Sequence, residues 1–190
     1  MVCDNYQGTY DLVTFAIRNG YTQIGYLAGY KEIYIGSARR RGFETAMQDH
    51  HLEINPEWIV EGGFDQHDGY EGFLKLYRRG KLPQLIVTVS YHAALGVLQG
   101  IQEVGLRITE DIDLLAFGDS EFNQFLNRSL TVSRMNAREI GKRALDILIQ
   151  AIQSDTQPVE KVIIPNQLII NETGINSVQE NKMRKEVVGI

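Results

Sequence analysis

Four short apolar runs limit the folds open to this chain: QIGYLAG (residues 23–29), WIVEGGF (58–64), QLIVTVS (84–90) and IDLLAFG (112–118). A strand with one wet face alternates apolar with polar residues. A near-continuous apolar run of this length reads as a central strand covered on both faces. Helical patterns fill the intervals and flanks, at residues 5–19, 37–50, 66–79, 91–104 and 137–154. Strand and helix in succession give an α/β architecture: a parallel, doubly wound sheet with helices on both sides and right-handed crossovers.

Two segments break the succession. LTVSRM (130–135) reads as a strand preceded by a loop, residues 121–129, and not by a helix. KVIIPNQLII (161–170) reads as a strand interrupted at Pro165. Proline lacks the ladder donor, so this strand is bent or lies at an edge. Residues 174–190 are polar until Val187, lack periodicity and read as a mobile tail.

Composition excludes several classes. With 43% hydrophobic and 23% charged residues in 190, the chain is globular and not disordered. A net charge of −5 argues against the whole molecule being a nucleic-acid surface. Cys3 is the single cysteine, so no internal disulfide and no cysteine-rich metal site can form, and a reducing compartment fits. Asp4 and Asn5 interrupt the start before an apolar signal core could form, and no run is long enough to span a membrane. These features describe a soluble, cytoplasmic protein with no membrane partner.

In an open parallel sheet, ligands sit beyond the carboxyl ends of the strands. GSARRRGFETAM (36–47) lies just there, after the first strand, with Ser37 placed to cap the helix. Helical geometry separates its three arginines. Phe43, Ala46 and Met47 define the inward face; Arg39 falls near its centre, Arg40 to one side, and Arg41 nearly opposite. An inward cation at the first turn opposes the helix dipole and is costly unpaired. Arg39 therefore needs a partner: a carboxylate such as Asp65 or Asp119, or a ligand. The residues alone leave the two level.

The other strand ends are similarly double-edged. Phe64 can stack on an apolar ligand face or plug the core edge. Ser90-Tyr91 opens a helix whose amides could face a ligand, while Ser90 is equally a plain cap. Asp119 can accept ligand hydroxyls or pair with Arg39. Catalytic and metal readings are weak. His50 and His51 are adjacent and cannot converge, and His67 and His92 are isolated. The chain has no HExxH, no phosphate loop and no nucleophile elbow, so it reads as a non-enzyme without metal or cofactor.

Five segments in order resemble one family: DNYQG (4–8), NGYTQIGYLAG (19–29), ARRRGFETAM (38–47), AALGVLQGIQEVGLRITEDIDLLAFGD (93–119) and LTVSRMNAREIGKRALDILI (130–149). Together they resemble the sensory domain of LacI/GalR-type transcriptional repressors, which is similar to periplasmic sugar-binding proteins. The resemblance runs to about residue 173.

It implies two lobes with a small effector, a sugar or nucleobase, held between them. Arg39 matches the family's effector-contacting arginine and Phe64 its packing aromatic. Ser90 and Tyr91 stand where the family has Asn-Asp, and Gly118-Asp119 where it has two aspartates. Half the polar grip departs from the pattern, which argues against a standard hexose.

The family's helix-turn-helix module is expected to be missing, with DNA reached only through it, and the intact protein to be a homodimer. The expected division is a remnant of the N-terminal lobe (1–22), a C-terminal lobe (23–129), a crossover and helix of the N-terminal lobe (130–157), a return strand (158–174) and a tail (175–190). The fold is thus one complete lobe plus part of a second. An apolar stripe on the last helix, Ile140, Ala144, Ile147, Leu148 and Ala151, is left without its sheet. The alternative function is the solute-binding component of a sugar transporter.

Overall fold

The computed structural model of the protein describes residues 2–153 and 161–175. The mobile end expected at residues 174–190 therefore lies, from 176 on, outside the described residues. The strands are β1 (Val2–Cys3), β2 (Ile24–Ala28), β3 (Ile59–Glu61), β4 (Leu85–Thr88), β5 (Asp113–Phe117), β6 (Thr131–Arg134), β7 (Ile163–Ile164) and β8 (Gln167–Ile169). The helices are α1 (Asn5–Arg18), α2 (Tyr34–Asp49), α3 (Gln66–Arg78), α4 (Tyr91–Glu103) and α5 (Ala137–Gln153). Six strands form the main sheet in the order β3-β2-β4-β5-β6-β8. All neighbours in it are parallel except β6 and β8.

Period-two alternation in the apolar strands feeds two separate cores. Ile24, Tyr26, Leu85, Val87, Leu115 and Phe117 point to one face, where Leu12 and Val13 of α1 and Phe43 and Met47 of α2 cover them. Leu27, Ile86, Leu114 and Ala116 point to the other, under α3 and α4. This is why the runs of β2, β4 and β5 are apolar throughout: none has a wet face, whereas β3, at the sheet edge, exposes Glu61.

The placement of α1 corrects the expected division. Residues 5–19 were expected with the other lobe. Instead Leu12, Val13 and Ala16 are fully buried against the main sheet, with α2 alongside. The reason is coverage: one helix cannot cap this face of the sheet from β2 to β6, and α1 fills the half over β5 and β6. Asp4 caps α1 by accepting from the Gln7 amide at 2.9 Å.

Pro165 splits the interrupted strand between two sheets. β7, before it, pairs in parallel with β1 in a separate two-stranded sheet. β8, after it, adds to the main sheet antiparallel to β6. The main sheet with α1 to α4 forms one lobe, and β1 and β7 pair outside it. α5 buries none of its residues, and Leu145, Leu148, Ile149 and Ile152 stand exposed. The expected loop before β6 contains a short 3-10 turn, Glu121–Phe125, whose Phe122 and Phe125 are exposed.

Candidate effector site

The strand order reverses at β2: the chain passes from β2 outward to β3, then returns to β4 on its other side. Such a switch point leaves a crevice beyond the carboxyl ends of the strands. Three features line that edge in spatial order. Phe64, after β3, lies on the backbone of Gly29, where even a methyl group would come within 2.4 Å of its ring. Tyr30 meets Phe64 edge-on, with ring centroids 5.9 Å apart. Next, over the ends of β4 and β5, lies Arg39.

Arg39 is 6% exposed. Its Nε donates to Asn5 Oδ1 at 2.9 Å and its Nη1 to the Val89 carbonyl at 2.5 Å. Its guanidinium carbon lies 3.6 Å from the centroid of the Phe117 ring. These contacts are all to neutral groups. The expected carboxylates are engaged elsewhere. Asp65 forms a capping box with Asp68 at the start of α3. Asp119 pairs with Arg134, Oδ2 to Nε at 2.6 Å and to Nη2 at 2.5 Å. Burial consequently pulls the Arg39 guanidinium down to about 10, with Cys3 and Tyr26 acting in the opposite direction. It stays charged at neutral pH.

The three arginines separate as helical geometry requires. Arg41 is exposed. Arg40 is half-buried and bonded to Glu44 at 2.8 Å and Glu61 at 2.6 Å. Ser37, however, does not cap the helix. α2 starts earlier, with Ile33 in the cap position and no side-chain cap, and Ser37 Oγ donates to the Tyr34 carbonyl at 3.1 Å. Arg39 therefore sits in the second turn, clear of the first turn's exposed amides.

The remaining expected residues divide. Ser90 adjoins Val89 at this edge; its Oγ accepts from the Ala93 amide at 3.0 Å and donates to the Phe64 carbonyl at 2.5 Å. It caps α4 and fixes Phe64 together. Tyr91 turns to the α3–α4 core, on the opposite face of the sheet from Arg39, with its hydroxyl 3.5 Å from Asn123 Oδ1. Burial pushes that phenol up, with Asp119 adding to the shift. Asp119 lies beyond β5 in a groove of about 590 Å³ that Ser120, Asn123, Arg134 and Asn171 help to line.

Sequence reasoning missed Asn5, Phe117 and Asn166. Asn5 is 2% exposed and is bracketed by Arg39 and the Cys3 carbonyl, which its Nδ2 reaches at 3.2 Å. Asn166 Nδ2 donates to Ser133 Oγ at 3.0 Å, and its Oδ1 is buried without a hydrogen-bond partner. Among the described residues, no group of His, Cys, Asp and Glu side chains could hold a metal ion. None of their helices is long and apolar enough to cross a membrane.

A parallel sheet with a switch-point crevice, covered by helices on both faces and joined to part of a second lobe, defines a periplasmic-binding-protein-like domain. Residues 13–173 match the periplasmic binding protein-like domain family, and the chain belongs to it. Within that family it is a LacI/GalR-type effector-binding domain. It is 30% identical over 174 residues to the HTH-type transcriptional repressor PurR of Histophilus somni, covering 91% of this chain and 52% of that protein. It thus spans about half the length of the relatives it matches. A regulatory protein of the LacI family from Chloroflexus aggregans superposes with a TM-score of 0.82 at 27% identity, over 93% of this chain and 63% of that one. The transcriptional regulator CelR in complex with cellobiose has a TM-score of 0.84 at 20% identity, over 90% and 53%, a likeness of fold. The named relatives are transcriptional regulators and not enzymes.

Proposed function

We infer that this chain is the effector-sensing part of a transcriptional repressor and performs no catalysis itself. A small molecule enters the crevice beyond β2, β4 and β5, Arg39 holds its polar group, and Phe64 packs against its body. Ser90 supports the site by fixing Phe64, while Tyr91, in the core on the other face of the sheet, and Asp119, paired with Arg134 beyond β5, stand outside it. One observation carries this reading most: a buried cation at the switch-point edge whose partners are all neutral. Such a group is stabilised by a ligand that arrives from the open side.

The lobe described here is one wall of a two-walled cleft. Closing the walls around an effector changes their relative orientation. In a homodimer that change alters the spacing of paired DNA-binding modules, and so operator affinity. The PurR relatives, named as HTH-type repressors, support this reading. A repressor of this kind acts in the cytoplasm.

Titration of purine bases and small sugars against wild type and Arg39→Ala tests the site. A true effector is expected to lose about 1.5–3 kcal/mol of binding free energy in the variant. Unchanged affinity in a folded Arg39→Ala protein removes Arg39 from the site.

A further inference from the structure

The polar groups along the crevice edge are unequally committed, and the imbalance points to one chemical class of effector. Of the acceptors on this wall, Asn166 Oδ1 is open and the others are taken. Asp119 is held by Arg134 and by the Ser120 amide at 2.8 Å. Asn5 Oδ1 receives Arg39. Ser90 Oγ is engaged as both donor and acceptor. The strong donor with an open position is Arg39: beyond Asn5, the Val89 carbonyl and the Cys3 side chain, its Nη2 donates to no oxygen among the described residues. No carboxylate there forms an ion pair with it. A polyol needs acceptors for its hydroxyl protons as well as donors. An anion needs donors only, and supplies the countercharge that a buried guanidinium lacks.

The surroundings of Arg39 are apolar and aromatic. Phe117 covers one face of the guanidinium. Phe64 and Tyr30 form an aromatic wall at the end of β2, and Tyr30 is 53% exposed. Ile35, four residues before Arg39 and on the same side of α2, is 41% exposed. These surfaces suit the body of an amphipathic ligand, with its charged group at Arg39.

We propose that the effector is an organic anion, a carboxylate or phosphate ester on an apolar or aromatic body, whose charge is paired by Arg39 and whose body lies against Phe64 and Tyr30. This rests on the reading of the crevice as the effector site. Arg39 carries the preference for charge, and the aromatic wall carries the preference for the body.

Isothermal titration of the full chain tests it, with benzoate, phenyl phosphate, inorganic phosphate, benzamide and glucose as probes. Benzoate or phenyl phosphate is expected to bind about tenfold or more tightly than benzamide or glucose. The tighter of the two distinguishes a carboxylate from a phosphate source. Arg39→Lys, which keeps a point charge without the planar fork, retains part of the preference, and Arg39→Gln abolishes it. If Arg39→Gln fails to fold, the ratio of benzoate to benzamide in wild type decides the matter. Benzamide or glucose binding as tightly as the anions, with dependence on Arg39, overturns the anion and leaves the sensor intact. Inorganic phosphate matching phenyl phosphate overturns the aromatic wall as a contact. Failure of every probe overturns the proposal; failure of the neutral purines and sugars as well overturns the sensor reading beneath it.

Discussion

Helices α1 and α5 are both amphipathic, and only one of them is covered. α1 sinks Leu12, Val13 and Ala16 completely into the main sheet. α5 has the more sharply segregated apolar face of the two and buries no residue. An apolar stripe states that a helix has a cover. It does not state which sheet supplies it, because the pattern records a face and not a neighbour. The division that places residues 1–22 with the other lobe rests on the resemblance alone, and the apolar pattern of the helix could not have decided it.

The contrast can be broken by truncation. Leu12→Ala opens a cavity in a fully packed core and is expected to cost about 2–5 kcal/mol in urea unfolding. Leu148→Ala on α5 removes a side chain that is already 56% exposed and is expected to stay within about 0.5 kcal/mol. Comparable losses from both would mean that α5 is packed as tightly as α1.

Glycines sharpen the same contrast with opposite signs. A methyl group at Gly8 of α1 would lie 2.4 Å from Asn166 Nδ2, 2.5 Å from Ser133 Oγ and 2.8 Å from the Phe117 ring. Gly8→Ala is expected to destabilise by about 1–3 kcal/mol. At Gly141 of α5 nothing lies within 4 Å. Gly141→Ala is expected to stabilise by about 0.5–1 kcal/mol through helix propensity alone. Thermal unfolding of the two variants reads both signs, and the same sign in both would contradict the packing described here.

The smallest expected effect is the pH dependence that one buried carboxyl adds in the covered region. Asp113, at the start of β5, is 2% exposed. It accepts from the Tyr21 hydroxyl at 2.6 Å and from the amides of Leu114 and Gly174 at 2.8 and 2.9 Å. Burial pushes its carboxyl up, with those bonds opposing. A raised value means that the folded state holds the proton more tightly than the unfolded chain. The contribution is therefore fully present below the unfolded value of about 4 and is lost as pH rises through the folded one. Wild-type stability measured relative to Asp113→Asn is expected to fall across that window. A rise would reverse the assignment. α5, with nothing buried, supplies no such group.

Much of the complete lobe was legible because its signals are local. The four apolar runs became β2 to β5, and Pro165 divided its strand as a missing donor requires. The inward turn of Arg39 followed from helical periodicity, and it is buried beside an exposed Arg41. What the sequence withheld was pairing at a distance. Asn5 lies 34 residues from Arg39, and nothing in DNYQG marks it as a partner. The choice of Arg134 over Arg39 by Asp119 depends on β6 lying beside β5, a topological fact with no signature in either residue. Ser37 lost the cap because α2 begins three residues earlier, at Tyr34, without a capping side chain to announce it.

The central claim is that the effector seats on the switch-point edge at Arg39, and not in the groove beyond β5. Amide and guanidinium NMR shifts of the full chain, followed as the tightest-binding probe is added, test this most directly. The expected changes fall on Gly29, Phe64, Val89 and the Arg39 Nε proton, with α5 silent. Changes confined to Asn123, Ser129 and Asn171, which line that groove, would place the ligand elsewhere and contradict the account.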